Sequence, residues 1–120
     1  MKMSDFIGLM FLARDVTHSV HLNTRSYAKH KALQEFYENI VGQADSLAEA
    51  YQGRYGLIGP ITLHSATKAS NVIEFLQAQL AEIEKQRYDA IDKSDTALQN
   101  LIDGIVELYL STIYKLRFLA

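Results

Sequence analysis

The sequence predicts an all-α four-helix bundle with one long crossover between its second and third helices. Three observations carry this. Four segments repeat apolar residues with the 3.6-residue period of a helix that buries one face. The single proline, Pro60, and three of the six glycines fall in one stretch, Gly53 to Ser65, between the second and third of those segments. One proline and six glycines in 120 residues are too few turn signals for an all-β chain. Apolar residues make up 48% and charged residues 22%, which excludes a disordered chain and fits a single helical domain over residues 1–120.

The first helix is expected from about Ser4 to Asn23. Ser4 is a natural N-cap, because its hydroxyl can accept from an otherwise orphaned backbone N–H. Its apolar residues, among them Phe6, Ile7, Met10, Phe11, Val16 and Val20, wrap most of the way round. One stripe suffices for one core, so the excess predicts a second buried face and a subunit contact. The run opens on Asp5 and ends at Arg14 and Asp15. It is too short to span a membrane and lacks the basic start of a signal peptide.

The second helix is expected from about Ser26 to Arg54. Ala32, Leu33, Phe36, Tyr37, Ile40, Ala44 and Leu47 set its period, and Gly53 and Gly56 mark its end. Gly42, in the interior, costs about 1 kcal/mol relative to alanine, which suggests a close helix approach there.

The stretch Gly53 to Ser65 decides the topology. A 26-residue helix is about 39 Å long. A strap of about 13 residues reaches at most about 43 to 47 Å, just enough to cross the bundle from end to end. The other reading is a loose hairpin loop, although loops of that length are uncommon. Bundles with one long crossover include the ferritin-like folds.

The third helix is expected from about Thr67 to Asp92, with Val72, Leu76, Leu80, Ile83 and Ile91 near one face. The fourth is expected from about Asp95 to Leu119, capped by Ser94, with a wide apolar face from Leu98 to Leu116. The turn Asp92-Lys93-Ser94 is short, so these two helices are antiparallel neighbours.

Composition also bounds the chemistry. Cysteine is absent, which excludes disulfides, thiol catalysis and Cys-ligated zinc, and suits a cytoplasmic setting. A net charge of -2 gives no electrostatic reason to bind nucleic acid or an anionic membrane. No P-loop, G-x-S-x-G, H-E-x-x-H or G-x-G-x-x-G is present. Glu35-x-x-Glu38 and Asp89-x-x-Asp92 have the spacing of helical magnesium motifs, but acidic pairs on long helices are ordinarily solvated charge. The seven tyrosines are better suited to interfaces than to base stacking, since no basic stripe accompanies them.

The histidines are the more specific signal. His18 and His21 are three apart on the first helix and share a face, with Asp15 three residues before His18. Asp45 and Glu49 are four apart on the second helix and share a face. Imidazole and carboxylate together suit iron, manganese or zinc. A di-metal centre inside one bundle uses two Glu-x-x-His elements, and the chain has none; Asp15-Val16-Thr17-His18 is the nearest. A site with ligands from two chains is therefore expected rather than a complete di-metal centre inside one bundle.

His21-Leu22-Asn23-Thr24-Arg25-Ser26, then His30, then Asp45-Ser46-Leu47-Ala48-Glu49, resembles the Dps family of miniature ferritins over roughly residues 18 to 56. That family writes a His-Trp-Asn, a tight turn, a second His, an Asp fifteen residues on and a Glu four beyond. This sequence has Leu22 at the Trp position and Gln34 where an Asp usually stands. The resemblance implies a ferritin-like bundle and an inter-subunit iron site. His21 and His30 would come from one chain and Asp45 and Glu49 from its mate, with His18 close enough to take the His21 role. It further implies Fe(II) oxidation by peroxide or oxygen, iron storage and a symmetric homo-oligomer, either a dimer or a larger shell. DNA binding through a basic tail is not expected. The alternative is a non-enzymatic structural or interaction protein on the same scaffold, without the ferroxidase site.

Overall fold

The computed structural model of the chain describes residues 1–66 and 71–120. It is a four-helix bundle with no strand among the described residues: α1 (Met3–Asn23), α2 (Tyr27–Tyr55), α3 (Val72–Ala90) and α4 (Thr96–Phe118). α1 packs on α2 and α3, and α4 packs on the same two. α1 and α4 are thus diagonal to each other, as are α2 and α3.

The contacts at the helix ends fix the directions. The end of α2 meets the start of α4, where Tyr55 and Arg54 reach Asp95. The end of α4 meets the early part of α2, where Lys115 pairs with Glu35 at 2.9 Å. The Met1 ammonium pairs with Asp89, so the end of α3 lies beside the start of α1. α2 and α3 therefore run the same way, and the segment between them starts at one end of the bundle and delivers α3 at the other. Residues 67–70, where the third helix was expected to begin, lie outside the described residues. The described helix opens at Val72, with the Asn71 side chain accepting from the Glu74 N–H at 2.8 Å.

One core runs the length of the bundle. Phe6, Ile7 and Met10 of α1 meet Leu33, Phe36, Ile40 and Leu47 of α2, with Leu76 and Ile83 from α3 and Ile102, Ile105 and Tyr109 from α4. These are the positions the helical period selects, because only one stripe of each helix leaves water. Tyr109 is fully buried, and its hydroxyl donates to Gln79 Oε1 at 2.6 Å. Its ring meets Phe36 edge-on at 5.0 Å. Burial pushes the phenol's pKa far up, so Tyr109 remains a donor. The α3–α4 corner is held by Arg87, which donates to Gln99 Oε1 and Asp103 Oδ1 while Gln99 donates back to the Ile91 carbonyl.

Four local expectations are corrected. Ser4 is not an N-cap: Lys2 holds that position without a side-chain cap, and Ser4 lies inside α1, its carbonyl accepting from Thr62 N–H at 3.2 Å. Ser94 does not cap α4. The Asp95 carboxylate does, accepting from Leu98 N–H, while Ser94 donates its N–H and hydroxyl to Asp92 in the turn. Gly53 does not end α2, which continues to Tyr55 and stops at Gly56, whose φ of 104° favours glycine. Gly42 marks no close approach, since a Cβ there would meet no atom within 4 Å.

The close approach is at Gly8, where a Cβ would lie 2.1 Å from the Thr62 carbonyl oxygen. The strap after α2 lies on α1 at this point. Thr62 Oγ1 donates to the Asp5 carboxylate at 2.6 Å, and His64 Nε2–H donates to the Asp5 carbonyl at 2.9 Å. Ile58 and Ile61 pack half-buried against the core. Part of the apolar excess on α1 is therefore covered from within the chain, by the strap.

Candidate metal centre

α1 ends and α2 begins around a turn of three residues. Ser26 caps α2 by accepting from Lys29 N–H, and its own N–H is held by Thr24 Oγ1, both at 3.2 Å. This turn folds the last turn of α1 onto the first turn of α2 and brings His21 against His30. Their rings stack with centroids 3.6 Å apart and planes 19° from parallel.

The bonding is reciprocal. His21 Nδ1–H donates to the His30 carbonyl at 2.6 Å, and His30 Nδ1–H donates to the His21 carbonyl at 2.9 Å. A carbonyl can only accept, so both rings carry a proton on Nδ1, and in the neutral imidazole form it is Nε2 that keeps the lone pair. The His21 carbonyl belongs to the last turn of α1, where it would otherwise lack a donor. An Nδ1–H held by a backbone carbonyl is the support that fixes the tautomer and aim of a metal-binding histidine. Among the described residues neither Nε2 takes part in a hydrogen bond.

His18 extends the cluster along α1. It stacks on Tyr37 at 4.2 Å and 18°, and its ring centroid is 5.9 Å from that of His21. Tyr37 also meets His21 edge-on at 5.2 Å, and the Arg14 guanidinium lies over the Tyr37 ring at 5.9 Å. Tyr37, counted in the sequence with the interface-filling tyrosines, is thus a wall of the histidine cluster. Its signal was its place seven residues after His30, two turns along the same face of α2.

Asp45 and Glu49 are elsewhere. Fifteen residues separate Asp45 from His30 on α2, a rise of about 22 Å. Both carboxylates are exposed and line a cleft with Ile7, Phe11, Ile58 and Ile61, between α1, α2 and the strap. One chain therefore does not bring its four sequence-selected ligands together. Among the described residues no group of three or more His, Asp or Glu side chains is placed to hold a metal ion. Gln34 bonds along α2 to Glu38, and Leu22 points into solvent. The acidic pairs do not converge either: Glu35 pairs with Lys115 at one end of the bundle, and Asp89 with the N-terminus at the other. No helix among the described residues is long and apolar enough to cross a membrane.

Two comparisons bear on relationship. An uncharacterized 14.6 kDa protein of enterobacteria phage T4, from the mobD-ri intergenic region, is 27% identical over 116 residues, which cover 96% of this chain and 88% of that one. No solved structure matches. A family of unknown function, DUF5856, matches residues 21–116, a span that opens on His21 and takes in His30, Asp45 and Glu49, and the chain belongs to that family.

Proposed function

We propose that this chain binds Fe(II) as substrate in a Dps-like, ferritin-like assembly in the cytoplasm, at sites shared by two copies. His21 and His30 of one copy and Asp45 and Glu49 of a second would hold the ion, with His18 as a further imidazole beside them. The observation that supports this is the pair of Nδ1–H bonds to backbone carbonyls on two stacked rings, which leaves both Nε2 atoms outside those bonds. The donor set fits: two imidazoles and two exposed carboxylates suit a divalent transition ion. When bound, Fe(II) would supply electrons to peroxide or oxygen, and the imidazoles and carboxylates would hold the ion.

A second reading has an observation of its own. The same reciprocal bonds close the α1–α2 hairpin and satisfy the last turn of α1, a structural role that needs no metal. Anaerobic Fe(II) titration by calorimetry, followed by peroxide, with the mass measured in solution, separates the two. Stoichiometric binding and rapid oxidation by an oligomer support the iron reading. Absence of binding leaves a non-enzymatic structural or interaction protein whose histidines serve the hairpin.

A further inference from the structure

The outer side of α4 carries a second surface, apart from the histidines and from the Asp45–Glu49 cleft. Asp103, Glu107, Leu110, Tyr114 and Arg117 follow one another at alternating spacings of four and three, so they form one straight stripe, with Phe118 beside its end. All are exposed: Leu110 is 52% accessible, Tyr114 53% and Phe118 65%. The apolar residues sit in the middle and toward the end, the acids at the start and the arginine at the end. Among the described residues Glu107 and Arg117 have no ion-pair partner; the Arg117 guanidinium rests on its neighbour Phe118 at 5.0 Å.

We propose that this stripe is a two-fold interface with a second copy of the chain, α4 against α4, antiparallel. The charge order chooses both the partner and the direction. A parallel pairing sets acid against acid and arginine against arginine. Turning one copy end for end sets Glu107 opposite Arg117, and the same rotation sets Leu110 opposite Tyr114, with the axis passing between them. A surface that is its own complement under a half-turn is what an isologous contact requires. Antiparallel helix dipoles add to it. Because α1 and α4 are diagonal in the bundle, this contact leaves the α1–α2 face free for any other neighbour.

The test is sedimentation of the full chain and three variants: Glu107→Arg, Arg117→Glu, and the two together. Each single change places like charges across the axis and should shift the protein to smaller species, weakening association about tenfold or more. The double variant restores opposite charges and should return the wild-type profile. A wild type that stays monomeric to its solubility limit, single variants that sediment like wild type, or a double variant as dissociated as the singles would each overturn the proposal. Circular dichroism checks that these surface changes leave the helices intact. Because the chain has no cysteine, register can be read directly. Leu110→Cys protein mixed with Tyr114→Cys protein should form a mixed disulfide dimer under mild oxidation. Yield no greater than with Tyr27→Cys, on the exposed start of α2, counts against the register and the interface together.

Discussion

The carbonyl oxygen of Thr62 lies 2.1 Å from the point where a Cβ on Gly8 would stand. The strap can rest on the first turns of α1 only because that side chain is missing. Thr62 and His64 bond to Ser4 and Asp5 on the same stretch. A methyl group at position 8 has to displace a backbone atom, which cannot swing aside as a flexible side chain would.

Gly8→Ala is therefore expected to destabilise the protein by about 1–3 kcal/mol, even though alanine favours the helix. Gly42→Ala, where the space is open, is expected to stabilise it by about 0.5–1 kcal/mol. Urea denaturation of both variants measures this. A Gly8→Ala protein as stable as Gly42→Ala would show that the strap does not bear on α1 as described.

The buried pair Tyr109–Gln79 gives a second expectation. Tyr109→Phe leaves Gln79 Oε1 buried without its donor and should cost about 1–3 kcal/mol. Adding Gln79→Leu removes the orphaned group, so the double variant should be less destabilised than the sum of the singles. Strict additivity in a double-mutant cycle would mean that the bond contributes no coupling.

Asp95 makes stability depend on pH. The Tyr55 hydroxyl, the Leu98 N–H and the Arg54 charge favour its ionised form and hold its carboxyl below the ordinary aspartate range. The folded value lies under the unfolded one of about 3.9, so this stabilisation is present above that pH and is lost as pH falls through the folded value. Asp95→Asn keeps an N-cap acceptor but removes the charge. The variant should be less stable than wild type at about pH 7, and the gap should narrow as pH falls below the ordinary aspartate range. A gap independent of pH would assign the effect to capping alone.

The iron reading makes its own demand. Asp45→Asn with Glu49→Gln should abolish Fe(II) oxidation and leave the helical circular dichroism spectrum unchanged, since both side chains are exposed. Oxidation at the wild-type rate by that double variant would remove the two carboxylates from the site.

The helices and their core faces were legible because burial of one stripe imposes a period that sequence records directly. Phe36, Ile40, Ile102 and Ile105 could be picked out that way. The caps were legible only to within a residue: at Asp95 a carboxylate takes the place that the neighbouring Ser94 could equally fill, and Tyr55, forty residues away, favours the charge. Gly8 and Gly42 were not separable, because what lies over a glycine depends on where a distant backbone segment rests. His21 and His30 were chosen by spacing and resemblance. Their reciprocal bonding runs through main-chain carbonyls, which no side-chain pattern records.

The parallel course of α2 and α3 bears on how the chain reaches its native state. α1 with α2, and α3 with α4, are hairpins whose contacts are near in sequence and cheap to close. The packing of α1 on α3 and of α2 on α4 joins distant stretches and pays the closure entropy of everything between them. Two hairpins that form early and dock late, with the strap seating last, is the order this predicts. Native-state hydrogen exchange should accordingly show the amide of Thr62 opening at lower free energy than those of Phe36 or Ile105. Equal protection at all three would mean instead that the strap joins the cooperative unit from the outset.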